Sequence, residues 1–201
     1  MELRNRIITE ATHQFLQYGI RNVTMADTAS TLGISKRTIY ELFKDKKELI
    51  QTCIKHLIKE QDEHTRVILE GSENVVEAIF TFMQLGIEAL DAVNPAFLKD
   101  LKKYYPSIWK KMHSTHTEKG YELSRHLLET GIQEGIFRKE INVSIIVKLF
   151  YAQMNLISGE NLFSRNEYDL TDIFKNVVIN YMRGISTKKG INLIDNSTNK
   201  L

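Results

Sequence analysis

Two prolines in 201 residues, Pro95 and Pro106, leave little to interrupt a helix, because proline is the residue that breaks one most reliably. Strand-length runs of alternating Val, Ile or Thr are missing. Apolar residues instead recur at spacings of three and four from end to end, so the fold class is expected to be all-α. No window approaches the ~20 apolar residues that a membrane span requires, and no membrane partner is expected. The opening "MELRNRIITEATHQF" is amphipathic and has no signal-peptide core. One cysteine, Cys53, cannot form an internal disulfide, which fits a reducing cytoplasm. The signatures of catalysis are missing as well: no GxSxG, P-loop, HExxH or Rossmann glycine pattern, and no carboxylate pair spaced for acid–base work. No enzyme activity, catalytic residue, cofactor or metal is therefore expected. His113 and His116 share a helix with Trp109, but no cysteine or carboxylate completes a metal set around them.

What is present is ordinary in amount and uneven in placement. The chain is 42% hydrophobic and 26% charged with a net charge of +2. Residues 1–60 hold ten Lys/Arg against seven Asp/Glu, and the remainder is slightly acidic. A polyanion is met by a local patch rather than by an average, so this placement matters more than the total.

Spacing, caps and breakers predict helices over 3–18, from the Thr24 cap to Leu32, over "KRTIYELF" behind the Ser35 cap, and from the Asp45 cap toward Leu69. "TMAD" sets Asp27 three residues after Thr24, the spacing of a capping box. Further helices are expected over 75–92, from Pro95, from Pro106 toward Glu129, from 143 to about 160 and from 170 to about 185. Gly131 and Gly135 in "ETGIQEGIF" are read as ending the long helix, and the stretch from Ser186 as a polar tail without sustained periodicity.

The stretch "TLGISKRTIYELFKDK" (31–46) is the most informative. Two helices that cross closely need a small residue at the contact, a positive-φ glycine at the turn, and branched apolar residues to fill the gap. Ala29, Gly33, Ile34, Ile39 and Leu42 meet those needs in order. The second helix then projects, as it must to enter a major groove about 12 Å wide. Its tip carries Ser35, Lys36, Arg37 and Thr38, where residues of such motifs reach base edges. Lys36 and Arg37 suit guanine O6 and N7, and Thr38 suits a thymine methyl or a hydrogen bond. Tyr40, Lys44, Lys46 and Thr24 are candidates for sugar and phosphate.

The set Phe15, Tyr18-Gly19, Val23-Thr24-Met25, Asp27, Ala29, Leu32-Gly33-Ile34-Ser35, Ile39-Tyr40, Phe43, Lys46 and Leu49 resembles the DNA-binding region of the TetR (tetracycline-repressor) family. Glu41-Leu42 departs from it, since members often carry an aromatic and a histidine there. The resemblance implies an N-terminal three-helix helix-turn-helix DNA-binding domain (1–48). A C-terminal helical ligand-sensing and dimerisation domain (49–186) would follow, then the polar tail (187–201). It further implies a repressor that leaves its operator when a small molecule binds; whether the chain represses or activates depends on where the operator lies.

The second half has features that suit such a role. Ile145, Ile146, Leu149, Phe150, Met154, Leu156 and Ile157 on one helix, and Ile173, Phe174, Val177, Val178, Tyr181 and Met182 on the next, exceed the single stripe that one core demands. Two such helices per subunit would build a four-helix bundle in a homodimer, matched to a palindromic double-stranded DNA operator. Phe80, Met83, Phe97, Tyr105, Trp109, Met112 and Phe150 are candidates to line a pocket for a small hydrophobic or aromatic ligand. The same residues also suit plain core packing.

Overall fold

The computed structural model describes residues 2–158 and 167–198, and every named element among them is a helix. In chain order these are α1 (Leu3–Tyr18), α2 (Met25–Thr31), α3 (Lys36–Leu42), α4 (Lys46–Gly71), α5 (Val75–Ala92), α6 (Pro95–Tyr104), α7 (Pro106–Gln133), α8 (Val143–Ser158), α9 (Leu170–Ile185) and α10 (Lys188–Thr198). The expected extension of α8 to residue 160 lies outside the described residues, as do the side chains of Leu156, Ile157 and Phe174. Among the described residues no helix is long and apolar enough to cross a membrane.

The chain divides into two compact units. The first comprises Met1–Val67 and Ala89–His116. Its core joins Ile7, Ala11 and Phe15 of α1 to Ile20, Ala29, Ile39, Phe43, Leu49 and Ile50, with Phe97 and Leu101 from α6. At seven residues each, α2 and α3 are far below the ~12–15 residues at which an isolated helix becomes even marginal in water. Burial of Met25, Ala29 and Ile39, together with the caps, holds them. Cys53 lies in this core, its thiol donating to the Ile8 carbonyl at 3.7 Å. Burial pushes that thiol up to about 11, so it stays protonated and unreactive near neutral pH.

The second unit comprises Ile68–Glu88 and Thr117–Leu201. Its core gathers Val75, Val76, Phe80, Met83, Leu127, Leu128, Ile136, Phe137, Val147, Val178, Met182 and Ile194. Two expectations are corrected in it. Gly131 does not end α7 but lies inside it, where a Cβ would fall 2.3 and 2.5 Å from ring carbons of Phe137. The glycine is there to admit that ring, and the helix ends at Gln133, two residues before Gly135, whose φ is 68°.

The stretch after Ser186 is not an unstructured tail: residues 188–198 form α10, with Ile194 fully buried. The Thr187 hydroxyl accepts from the Gly190 amide at 3.3 Å, and the Thr187 amide donates to the Ile136 carbonyl at 3.0 Å. Lys189 Nζ donates to the Glu134 carbonyl at 2.9 Å, and Arg183 pairs with Asp195. Ile191, Leu193 and Ile194 are too few to set up a sequence period, yet they suffice once a surface exists to receive them.

Candidate nucleic-acid interface

The turn between α2 and α3 is built as its residues demand. Gly33 takes φ 66°, its amide donates to the Ser30 carbonyl at 3.1 Å, and the Ile34 amide donates to the Ala29 carbonyl at 3.0 Å. Ala29 is 2% exposed at the crossing, and Ile39 fills the space behind it. Two caps fix the helix starts. The Thr24 hydroxyl accepts from the Asp27 amide at 3.2 Å while the Asp27 carboxylate accepts from the Thr24 amide at 2.7 Å. Those bonds hold the Asp27 carboxyl below its ordinary range. Ser35 Oγ accepts from the Thr38 amide at 3.1 Å. Thr24→Ala is expected to cost about 1 kcal/mol of stability in a urea melt, the usual worth of such a cap.

A partly buried polar network then sets α2 against α1. Thr28 Oγ1 donates to Gln14 Oε1 at 2.7 Å, and Gln14 Nε2 donates to Thr31 Oγ1 and to Glu10 Oε1, each at 2.9 Å. Directional bonds of this kind define one orientation where apolar contact alone tolerates several.

The α3 tip is open. Ser35, Lys36, Arg37 and Tyr40 are exposed and Thr38 is half-buried, its hydroxyl 2.9 Å from that of Ser35. Lys36 Nζ lies 5.7 Å from the centre of the Tyr40 ring, and Arg37 Nε donates to Glu41 Oε1 at 3.0 Å. Lys44 is exposed just beyond, and Thr24 is exposed at the start of α2. These seven candidates therefore lie in one segment of the first unit, with α3 presenting the middle of it.

Lys46 differs from the free phosphate-seeking cation that its sequence position suggested. Its ammonium donates to the Ile20 carbonyl at 2.5 Å and sits 5.9 Å from the centre of the Phe15 ring. Desolvation lowers its pKa, against the opposing pull of Asp100 and Asp27. The side chain ties the start of α4 to the α1–α2 connection.

Sequence reasoning missed the partner of that connection, α6. Asp100 Oδ2 accepts from the Arg21 amide at 2.8 Å, and Arg21 Nη1 donates to the Tyr104 hydroxyl at 3.0 Å with its guanidinium 4.9 Å from the centre of that ring. The Asn94 amide donates to the Leu16 carbonyl at 2.9 Å, and Asn94 Nδ2 to the Gln17 carbonyl at 3.0 Å. A Cβ on Gly19 would stand 2.9 Å from that of Ala96. Only the glycine at 19 hinted at this close approach.

The candidate pocket residues are shared between the two cores. Phe97, Tyr105, Trp109 and Met112 pack with the first, whereas Phe80, Met83 and Phe150 belong to the second. Burial raises the Tyr105 hydroxyl above its ordinary range. Of the two histidines on α7, His113 packs its ring 5.3 Å from that of Trp109, and His116 Nδ1 is 3.4 Å from Gln61 Nε2. Among the described residues no group of three or more His, Cys, Asp or Glu is placed to hold a metal ion.

Comparison with known proteins agrees with this geometry. Residues 7–53 match the model of the bacterial regulatory proteins of the tetR family. An uncharacterized HTH-type transcriptional regulator of Bacillus subtilis, YvaF, is 25% identical over 182 residues, covering 90% of this chain and 94% of its own. The HTH-type transcriptional repressor KstR2 of Rhodococcus jostii is 22% identical over 71% of each chain. Among solved structures, a transcriptional regulator from Saccharomonospora viridis in complex with choline superposes with a TM-score of 0.74. It is 18% identical, over 92% of this chain and 98% of that one.

Proposed function

Because this chain is a TetR-family transcriptional regulator, we propose that it is a homodimeric cytoplasmic repressor that binds a palindromic DNA operator through α3 and is released by a small molecule. The observation that carries this reading is the exposed tip of α3: Ser35, Lys36, Arg37 and Tyr40 are exposed behind a capped turn. In it, Arg37, Lys36 and Thr38 contact bases, while Ser35, Tyr40, Lys44 and Thr24 take backbone positions. Lys46 serves by positioning α2. The domain assignment follows: residues 1–48 read DNA, and the helices within 49–186 sense ligand and dimerise.

Dimerisation is supported by α8. Ile145 and Leu149, one turn apart, are 55% and 53% exposed, an arrangement costly in water and natural under a partner helix. Buried Val178, Met182 and Ile185 hold α9 in the second core. A second copy would align two α3 helices about one DNA turn, ~34 Å, apart. Replacing Ile145 and Leu149 together by glutamate is expected to yield monomers in sedimentation and to weaken operator binding steeply. A double variant that stays dimeric places the interface elsewhere.

For release, a ligand in the helical region would favour a state in which the two α3 helices are mis-spaced, with α4, continuous from Lys46 to Gly71, carrying the movement. Coupling of this kind is typically ~1–3 kcal/mol and reciprocal between ligand and DNA. The pocket candidates Phe80, Met83 and Phe150, and Phe97, Tyr105, Trp109 and Met112, favour an apolar or aromatic molecule. The experiment is selection of bound duplexes from a random library, followed by operator titration with candidate ligands. A protein that enriches no sequence sinks the reading, and a ligand that leaves affinity unchanged at saturation is not the effector.

A further inference from the structure

Glu41 is an unexpected residue on a helix that meets a polyanion, because a carboxylate there is repelled by phosphates. It is 60% exposed and Arg37 is 89% exposed, so their bond does not hold the fold together. Neither stability nor general affinity explains the pairing. Its geometry does suit base recognition. The bond at 3.0 Å uses Arg37 Nε alone. A guanidinium has five N–H groups, and the four on Nη1 and Nη2 form the fork that takes guanine O6 and N7 together. Anchoring Nε one helical turn along restrains the side chain and removes rotamer freedom that it would otherwise lose on binding. The neighbouring pair, Lys36 over Tyr40, follows the same i,i+4 spacing, so each of the two tip cations rests on a side chain one turn later.

We propose that Arg37 and Glu41 act as one reading unit for a G·C pair, with Glu41 as the positioning and discriminating residue. A carboxylate offers about four acceptor sites, so one bond to Nε leaves Glu41 able to accept from a cytosine N4 amino group. Bases that present an acceptor at that place face a carboxylate oxygen, acceptor against acceptor, and are rejected. This rests on the DNA-binding reading above and adds to it the base that one residue pair selects.

The test is selection from a randomised duplex library with the wild-type chain, Glu41→Ala and Glu41→Gln, alongside thermal melts and titration of random-sequence DNA. The wild type is expected to enrich a motif with an invariant G·C pair in each half-site. Glu41→Ala should keep the rest of the motif, lose discrimination at that pair by about 10-fold, and bind random DNA as well as or better than wild type, with its melt unchanged. Glu41→Gln retains an acceptor for Nε and should retain the G. Identical motifs for wild type and Glu41→Ala, or a loss spread equally over every position, overturn the inference while leaving the DNA reading intact. A wild-type protein that enriches no motif overturns both.

Discussion

Arg37→Ala is expected to lower affinity for the selected operator by about 5- to 150-fold per half-site, the span that a bidentate guanine contact supplies. Random-sequence DNA should lose far less, because one exposed cation is a small part of a binding mode carried by phosphate contacts. The reason lies in the placement of the side chain: it stands on the exposed face of α3, its guanidinium paired with Glu41. Lys46→Met gives the contrasting result. Removing its ammonium leaves the Ile20 carbonyl without that donor. A side chain that acts by position should then lower the melting temperature and weaken every sequence alike, without the change of about one in the salt slope that loss of a phosphate contact brings. Fluorescence-anisotropy titrations at several salt concentrations separate the two behaviours. Equal losses on operator and random DNA for Arg37→Ala would remove its role as a base reader.

Deleting residues 188–201 is expected to destabilise the second unit severely. Ile194 is fully buried in its core, and truncation of one such isoleucine to alanine alone costs about 2–5 kcal/mol. The deletion also removes the Lys189 bond to the Glu134 carbonyl and the Arg183–Asp195 pair. A fall in the melting temperature of about 10 °C or more by circular dichroism is the expected result. Ile194→Ala should show a smaller fall in the same direction. A deletion that melts like the full chain would mean that α10 contributes nothing to the second core.

Residues with local physics were legible in advance. The Thr24–Asp27 box, the Ser35 cap, the Asn94-Pro95 entry to α6 and the positive φ of Gly33 each depend on neighbours within a few positions. Gly131 and α10 were not, and for one reason. Gly131 has the chemistry of a stop signal, and only the ring of Phe137 against its Cα shows why it stays helical. Residues 188–198 have the composition of a tail, and the second core that receives Ile194, with α9 beside it, provides the surface that makes them a helix.

The candidate interface divides along the same line. Which residues sit at the tip of α3 was determined by sequence alone, since capping, turn geometry and helical spacing are short-range and leave Ser35 to Tyr40 no other arrangement. What those residues are free to do was decided by tertiary structure. Lys46 and Arg37 are both cations near the same turn. The fold brings the distant Ile20 carbonyl to Lys46, whereas Arg37 pairs with Glu41 on its own helix. A hydrogen bond across 26 positions, like the docking of Asp100 on Arg21 across 79, depends on where distant helices come together, and no local pattern in the chain encodes that.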